Sequence, residues 1–168
     1  MGLHTLLVPM VETAAHAAAM VRACRYPPHG IRGVSSATSR GANFGSDANY
    51  LHEANDRVTL IVQIESTTGL ENIAEIAAVE GVDALFIGPS DLAASMGYLG
   101  QPTHPAVVDA ITTAKAAIDK AGKPAGIFAV SPDHAREAMA QGFRFISIGT
   151  DIGLLIAGSQ GVLAQVRG

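Results

Sequence analysis

The sequence predicts an α/β fold, a partial (β/α)8 barrel of about five βα units. Three observations carry that reading. Five short apolar runs are continuous rather than alternating, as strands covered by helices on one face and a packed interior on the other should be. Segments with apolar residues at helical spacing lie between most of them, and strand–helix alternation implies parallel strands joined by right-handed crossovers. The texture is rich in Ala and Gly and poor in aromatics (5%, with no Trp), so Ala, Val, Ile and Leu must fill the interior. Five such units fit an open doubly wound sheet as well as a barrel. The uniform repeat favours the barrel. A complete barrel takes roughly 250 residues, so 168 residues fall about three units short.

The strand candidates are residues 6–11, 60–64, 84–88, 126–130 and 143–149. A helix over 13–25 is Ala-rich and follows Thr13 as its cap. A second, over 69–79, places Leu70, Ile73, Ile76 and Ala77 on one face. A third, over 105–121, starts at Pro105 and aligns Val107, Val108, Ile111, Ala114 and Ile118. Ser131 and Pro132 open a fourth, over 132–141, in the cap and first helical positions. A weaker, Gly-interrupted helix is expected over 152–166. The segment 26–57 breaks the rhythm with Gly, Pro, Ser and Asn clusters and room for one short helix at 47–54. A connection that long usually covers something or carries function. No linker or repeat divides the chain, and residues 1–168 read as a single domain.

Composition narrows the function classes. The formal charge is −4 and no basic run is present, which argues against nucleic acid as a partner. Charges or Gly interrupt every apolar stretch before it reaches the length of a membrane span. The start, Met1-Gly2-Leu3-His4, lacks the basic and apolar regions of a signal peptide, so the expected location is cytoplasmic. Cys24 is the single cysteine, which excludes a disulfide framework and a cysteine-based metal cluster. Its helical, Ala-rich setting predicts a small buried apolar residue.

Barrels and open α/β sheets collect functional groups at the carboxyl ends of their strands. Glu65 ends the second run, and Asp91 follows the third through Gly88-Pro89-Ser90. Strand side chains alternate, so Gln63 and Glu65 share a face. If that face is the interior, Glu65 stands at its rim with Asp91 on the neighbouring loop, close enough to share a cation. Two carboxylates without Cys or a nearby His suit a hard, oxygen-preferring ion, Mg²⁺ or Mn²⁺. Such an ion could chelate a 2-oxo acid through its carboxylate and ketone oxygens and stabilise the derived enolate. Gly88 permits close backbone approach, and the amides around Ser90 open a short helix whose N-terminus favours a substrate carboxylate. The competing reading makes both acids helix-end residues that satisfy free amides or the helix dipole.

Read in order, residues 6–11 (LLVPMV), 25–33 (RYPPHGIRG), 62–65 (VQIE), 79–83 (VEGVD), 87–92 (IGPSDL) and 96–98 (MGY) resemble the HpcH/HpaI aldolase family of class II pyruvate aldolases. The resemblance covers essentially the whole chain. It implies a TIM-type (β/α)8 barrel lacking its N-terminal three βα units. It also implies reversible cleavage of a 4-hydroxy-2-oxo acid to pyruvate and an aldehyde through a cation-stabilised enolate. By similarity, Glu65 and Asp91 are the metal ligands, for Mg²⁺ or Mn²⁺ first and Co²⁺ as a further option. Gly88 and Ser90 contact the pyruvate carboxylate through their backbone, Gln63 lines the metal pocket, and Phe128 lies on the aldehyde side. The family forms homo-oligomers, typically hexamers with helix exchange.

The family's acid/base His and its substrate-binding Arg belong to strands that would precede Leu6, and no position here matches them. His4, His16, His29, His52, His104 and His134 all lie outside a matching motif. His16 and His104 read as surface residues, whereas His29 and Arg32 sit in the long loop and could approach the site. Two alternatives follow. One is a catalytically silent chain that binds metal, 2-oxo acid or other subunits. The other is an enzyme of the citrate lyase β-subunit and malyl-CoA lyase branch, whose acyl-CoA substrate calls for more basic residues than this chain offers.

Overall fold

The computed structural model describes residues 2–167. Five parallel strands form one curled sheet in chain order: β1 (Thr5–Val8), β2 (Thr59–Ile64), β3 (Ala84–Ile87), β4 (Ala125–Phe128) and β5 (Phe145–Ser147). Helices α1 (Ala14–Cys24), α3 (Thr67–Glu71) with α4 (Ile73–Ala77), α5 (Pro89–Ser95) with α6 (Pro105–Lys120), and α7 (Pro132–Ala140) make the crossovers, and α8 (Asp151–Arg167) ends the chain. The sequence reading of a partial barrel holds. None of the helices among the described residues is long and apolar enough to cross a membrane.

Alternation along each strand sorts its residues between two environments. Leu60, Val62 and Ile64 of β2, Leu85 and Ile87 of β3, and Ala125 and Ile127 of β4 face the helices, where they pack with Val21, Ile76, Leu92, Val107 and Ile118. Each fully buried branched side chain in that layer contributes about 1.5–3 kcal/mol relative to exposure. Ile61, Ala84 and Phe86 turn the other way and meet Phe128 in a smaller inner cluster. Leu7 and Phe145 also point inward but stay 42% and 46% exposed, because the strands curl around an open interior. Gly126 is required by that inner packing. A Cβ there would sit 2.6 Å from the Phe86 ring and 2.8 Å from the Phe145 carbonyl oxygen.

Several boundaries differ from the sequence reading. The first strand stops at Val8, since Pro9 has no N–H to continue the ladder and Met10 has φ +55°. The helix expected over 69–79 starts earlier, at Thr67, where the Ser66 hydroxyl accepts from the Gly69 amide at 3.1 Å, and it breaks at Asn72. The Asn72 side-chain amide donates to the Glu12 carbonyl at 2.8 Å, tying that break to the loop after β1. The short helix expected at 47–54 is reduced to α2 (Tyr50–Glu53).

Segment 26–57 folds across the amino-terminal ends of β1 and β2. It builds a separate apolar cluster from Tyr26, Ala42, Tyr50 and Ala54. The Arg32 guanidinium lies 4.4 Å from the Tyr26 ring centroid and donates to the Tyr50 hydroxyl at 2.7 Å. Arg32 lines a cavity there with Leu3 and Val58, which precede the two strands. This is the opposite end of the sheet from Glu65, so the expectation that Arg32 could approach the site is not met. Cys24 is half-buried at the rim of the same cavity, and burial pushes its thiol pKa up.

Candidate active site

Register brings the polar positions together. Ile64 pairs with Ile87, and the Gly88 amide donates to the Ile64 carbonyl at 3.2 Å, so Glu65 and Gly88 are neighbours just beyond the ladder. Glu65 is 3% exposed although it is charged at neutral pH in an ordinary setting. Its Oε1 accepts from the Met10 amide at 2.9 Å, and its Oε2 accepts from the Gln63 side-chain amide. The helix-end reading of Glu65 therefore fails: Ser66 caps α3, while Glu65 is bound across the strand ends.

Asp91 occupies the first turn of α5 and is exposed. Its carboxylate lies near enough to Glu65 for its negative charge to act on the Glu65 carboxyl. The Glu65 pKa lies above the ordinary carboxylate value. Burial is the main cause, the Met10 amide opposes it, the negative charge of Asp91 reinforces it and Gln63 opposes it again. Two facing carboxylates, one of them buried, form an all-oxygen donor pair that a divalent cation would neutralise. Among the described residues no group of three or more His, Cys, Asp and Glu side chains converges, so a cation here would rely on two protein carboxylates, with water and substrate oxygens completing its shell. The donor set fits Mg²⁺ or Mn²⁺ better than a softer ion.

Gln63, Gly88, Pro89, Ser90 and Asp91 line one side of a cavity of about 350 Å³, and Leu7, Phe86, Phe128, Phe145 and Ser147 line the other. The structure thus gathers all six residues singled out in the sequence, with Glu65 directly behind Gly88. Gly88 matters for space rather than for φ. A Cβ there would collide with Glu65 Oε2 and come within 2.6 Å of Gln63 Nε2. Ser90 and Asp91 fall in the first turn of α5, so their amides have no intrahelical acceptors, and both residues line the cavity.

Sequence reasoning missed the Met10 amide and the aromatic wall of Phe86 and Phe145, whose ring centroids are 5.7 Å apart. The aromatic pair was discoverable, because Phe86 shares its strand face with Gly88. Among the described residues no His and no Arg lines this cavity. His104 instead caps α6, accepting from the Ala106 amide at 3.3 Å and stacking on Tyr98, and His134 accepts from the Val130 amide at 3.2 Å.

Parallel strands in chain order, with polar groups gathered at their carboxyl ends, match the arrangement in which (β/α)8 barrels carry their active sites. The chain belongs to the HpcH/HpaI aldolase/citrate lyase family, whose model matches residues 1–158. It is 47% identical over 167 residues to the hydroxypyruvate/pyruvate aldolase of Pseudomonas aeruginosa, covering 99% of this chain and 62% of that protein. It is 48% identical over 150 residues to the 2-keto-3-deoxy-L-rhamnonate aldolase of Escherichia coli K12, covering 89% and 56%. A solved HpcH/HpaI aldolase/citrate lyase family protein from Burkholderia cenocepacia superposes with a TM-score of 0.92 at 42% identity, over 99% of this chain and 66% of that one. The chain thus spans about three-fifths of the length of the curated relatives it matches.

Proposed function

We propose that this chain carries the metal- and pyruvate-binding half of a divalent-metal-dependent aldolase, one that reversibly cleaves a 4-hydroxy-2-oxo acid to pyruvate and an aldehyde. One observation carries the reading: Glu65 and Asp91 face each other beyond adjacent strands, beside a wall from which a side chain is excluded at Gly88. The relatives named as aldolases of pyruvate and of a 2-keto-3-deoxy acid support the substrate class. When bound, the cation polarises the ketone of a chelated 2-oxo acid and stabilises charge developing on its oxygen.

The chain's own residues do the rest of the binding. Gln63, which lines the cavity, holds the Glu65 carboxylate in place just behind it. Of the two backbone contacts expected at Gly88 and Ser90, the Gly88 amide is taken by the Ile64 carbonyl, so the first-turn amide at Ser90 receives the substrate carboxylate and Gly88 leaves room for it. Phe86, Phe128 and Phe145 give the cavity an apolar wall on the side where the aldehyde carbon would lie.

A binding-only chain is the second reading, favoured by the lack of a His or Arg along the cavity among the described residues. A homo-oligomer is the proposed assembly. Ile152, Leu154, Leu155, Ile156, Val162 and Val166 of α8 are each at least half exposed, so that helix has an apolar surface to cover. Titration calorimetry of pyruvate with and without Mg²⁺ tests the site. Pyruvate should bind in the presence of Mg²⁺ and lose that binding with EDTA. Equal binding in both conditions, or none in either, would remove the metal-chelate reading.

A further inference from the structure

We propose that Met10 is a positioning residue for the metal site, acting through its backbone amide and the left-handed conformation that aims it. The inference rests on the metal reading of Glu65 and Asp91. Met10 has φ +55°, a conformation that an L residue with a long side chain adopts rarely. Its side chain is 49% exposed, so packing of that side chain does not explain the conformation. The surroundings impose it. Pro9 ends β1 on one side, and Val11 is pinned on the other, buried to 1% exposure with its amide donating to the Gln63 carbonyl at 3.1 Å. Between these anchors the Met10 N–H is directed at Glu65 Oε1 across 2.9 Å.

Backbone held in a sparsely populated region by its neighbours is a recurring feature of functional sites. Here the strained residue holds one carboxylate oxygen of Glu65 while the Gln63 amide holds the other. The carboxylate plane is thereby fixed before any cation arrives. The loop after β1 thus orients a ligand supplied by β2. This is the kind of outer partner whose loss typically weakens metal binding about 10- to 100-fold.

The decisive experiment titrates Mn²⁺ alone into the full chain by electron paramagnetic resonance, for wild type, Met10→Gly, Met10→Asn and Met10→Val. Gly and Asn accept a positive φ, whereas a β-branched residue resists it. Met10→Gly and Met10→Asn should bind within about twofold of wild type, and Met10→Val should bind at least about tenfold more weakly. Val binding like wild type, or Gly binding as weakly as Val, would overturn the assignment. Wild type that binds no Mn²⁺ would overturn the metal site itself and this role with it. Amide hydrogen exchange gives a readout that needs no Met10 variant. The Met10 amide should exchange slowly in wild type and fast in Glu65→Ala, while the Val11 amide stays protected in both. A fast Met10 amide in folded wild type contradicts the proposal.

Discussion

A Cβ on Gly88 would lie 2.6 Å from the side-chain nitrogen of Gln63, inside any tolerated contact, and would also strike the Glu65 carboxylate that Gln63 holds. A side chain at position 88 would therefore require the Gln63 and Glu65 side chains to shift.

Gly88→Ala should displace Gln63 or Glu65. Overpacking of this kind costs about 1–3 kcal/mol, and Mn²⁺ affinity should fall by about tenfold or more. Ser90→Ala keeps its backbone amide and should bind Mn²⁺ like wild type. Urea denaturation and Mn²⁺ titration of both variants check this. Equal metal affinity in Gly88→Ala and wild type would show that the crowding has no bearing on the site.

Glu65 gives the protein a pH signature. Its folded pKa is raised above the reference of 4.5, so between that value and the folded pKa the native state binds more protons than the unfolded one. Stability of the metal-free protein therefore falls as pH rises through that window, and the cost is fully present above the folded pKa. Protons compete with the cation, so Mn²⁺ affinity should rise over the same window. Thermal melts in EDTA from acid to neutral pH, for wild type and Glu65→Gln, measure the effect. The Gln variant should lack that component, and identical profiles would contradict the burial of an ionisable Glu65.

Much of this was legible in the sequence. Continuous apolar runs marked the strands most clearly at β2, β3 and β4, which are covered on both faces. Alternation from Gln63 to Glu65 marked the inward carboxylate. Local interactions that pattern does not encode set the element ends. Met10 leaves the strand direction after Pro9, Ser66 starts its helix two residues before the expected start at position 69, and Asn72 breaks it to reach Glu12. The Met10 amide left no trace in the sequence, since every residue but proline carries one and its aim depends on backbone twist. The end of the sheet that Arg32 reaches was open in the sequence for a related reason. A loop of that length can reach either end of the sheet, and the Tyr26–Tyr50 pair draws it to the amino-terminal end.

Helix α8 should mediate association. Replacing Leu155, 70% exposed, with Glu should reduce the oligomer mass seen by size exclusion with light scattering while leaving the circular dichroism of the sheet intact. An unchanged mass for Leu155→Glu, or a monomeric wild type, would show that this face is not the contact.

The central claim is that Glu65 and Asp91 form a working metal site for 2-oxo acid chemistry. Pyruvate release from oxaloacetate with Mg²⁺ or Mn²⁺ tests it most directly, because decarboxylation needs the polarised ketone but little base catalysis. Wild type should release pyruvate in a metal-dependent way, and Glu65→Ala should reduce the rate to the level of metal in buffer. Release that is equal in the two proteins, or absent from folded wild type at saturating metal, would contradict the claim.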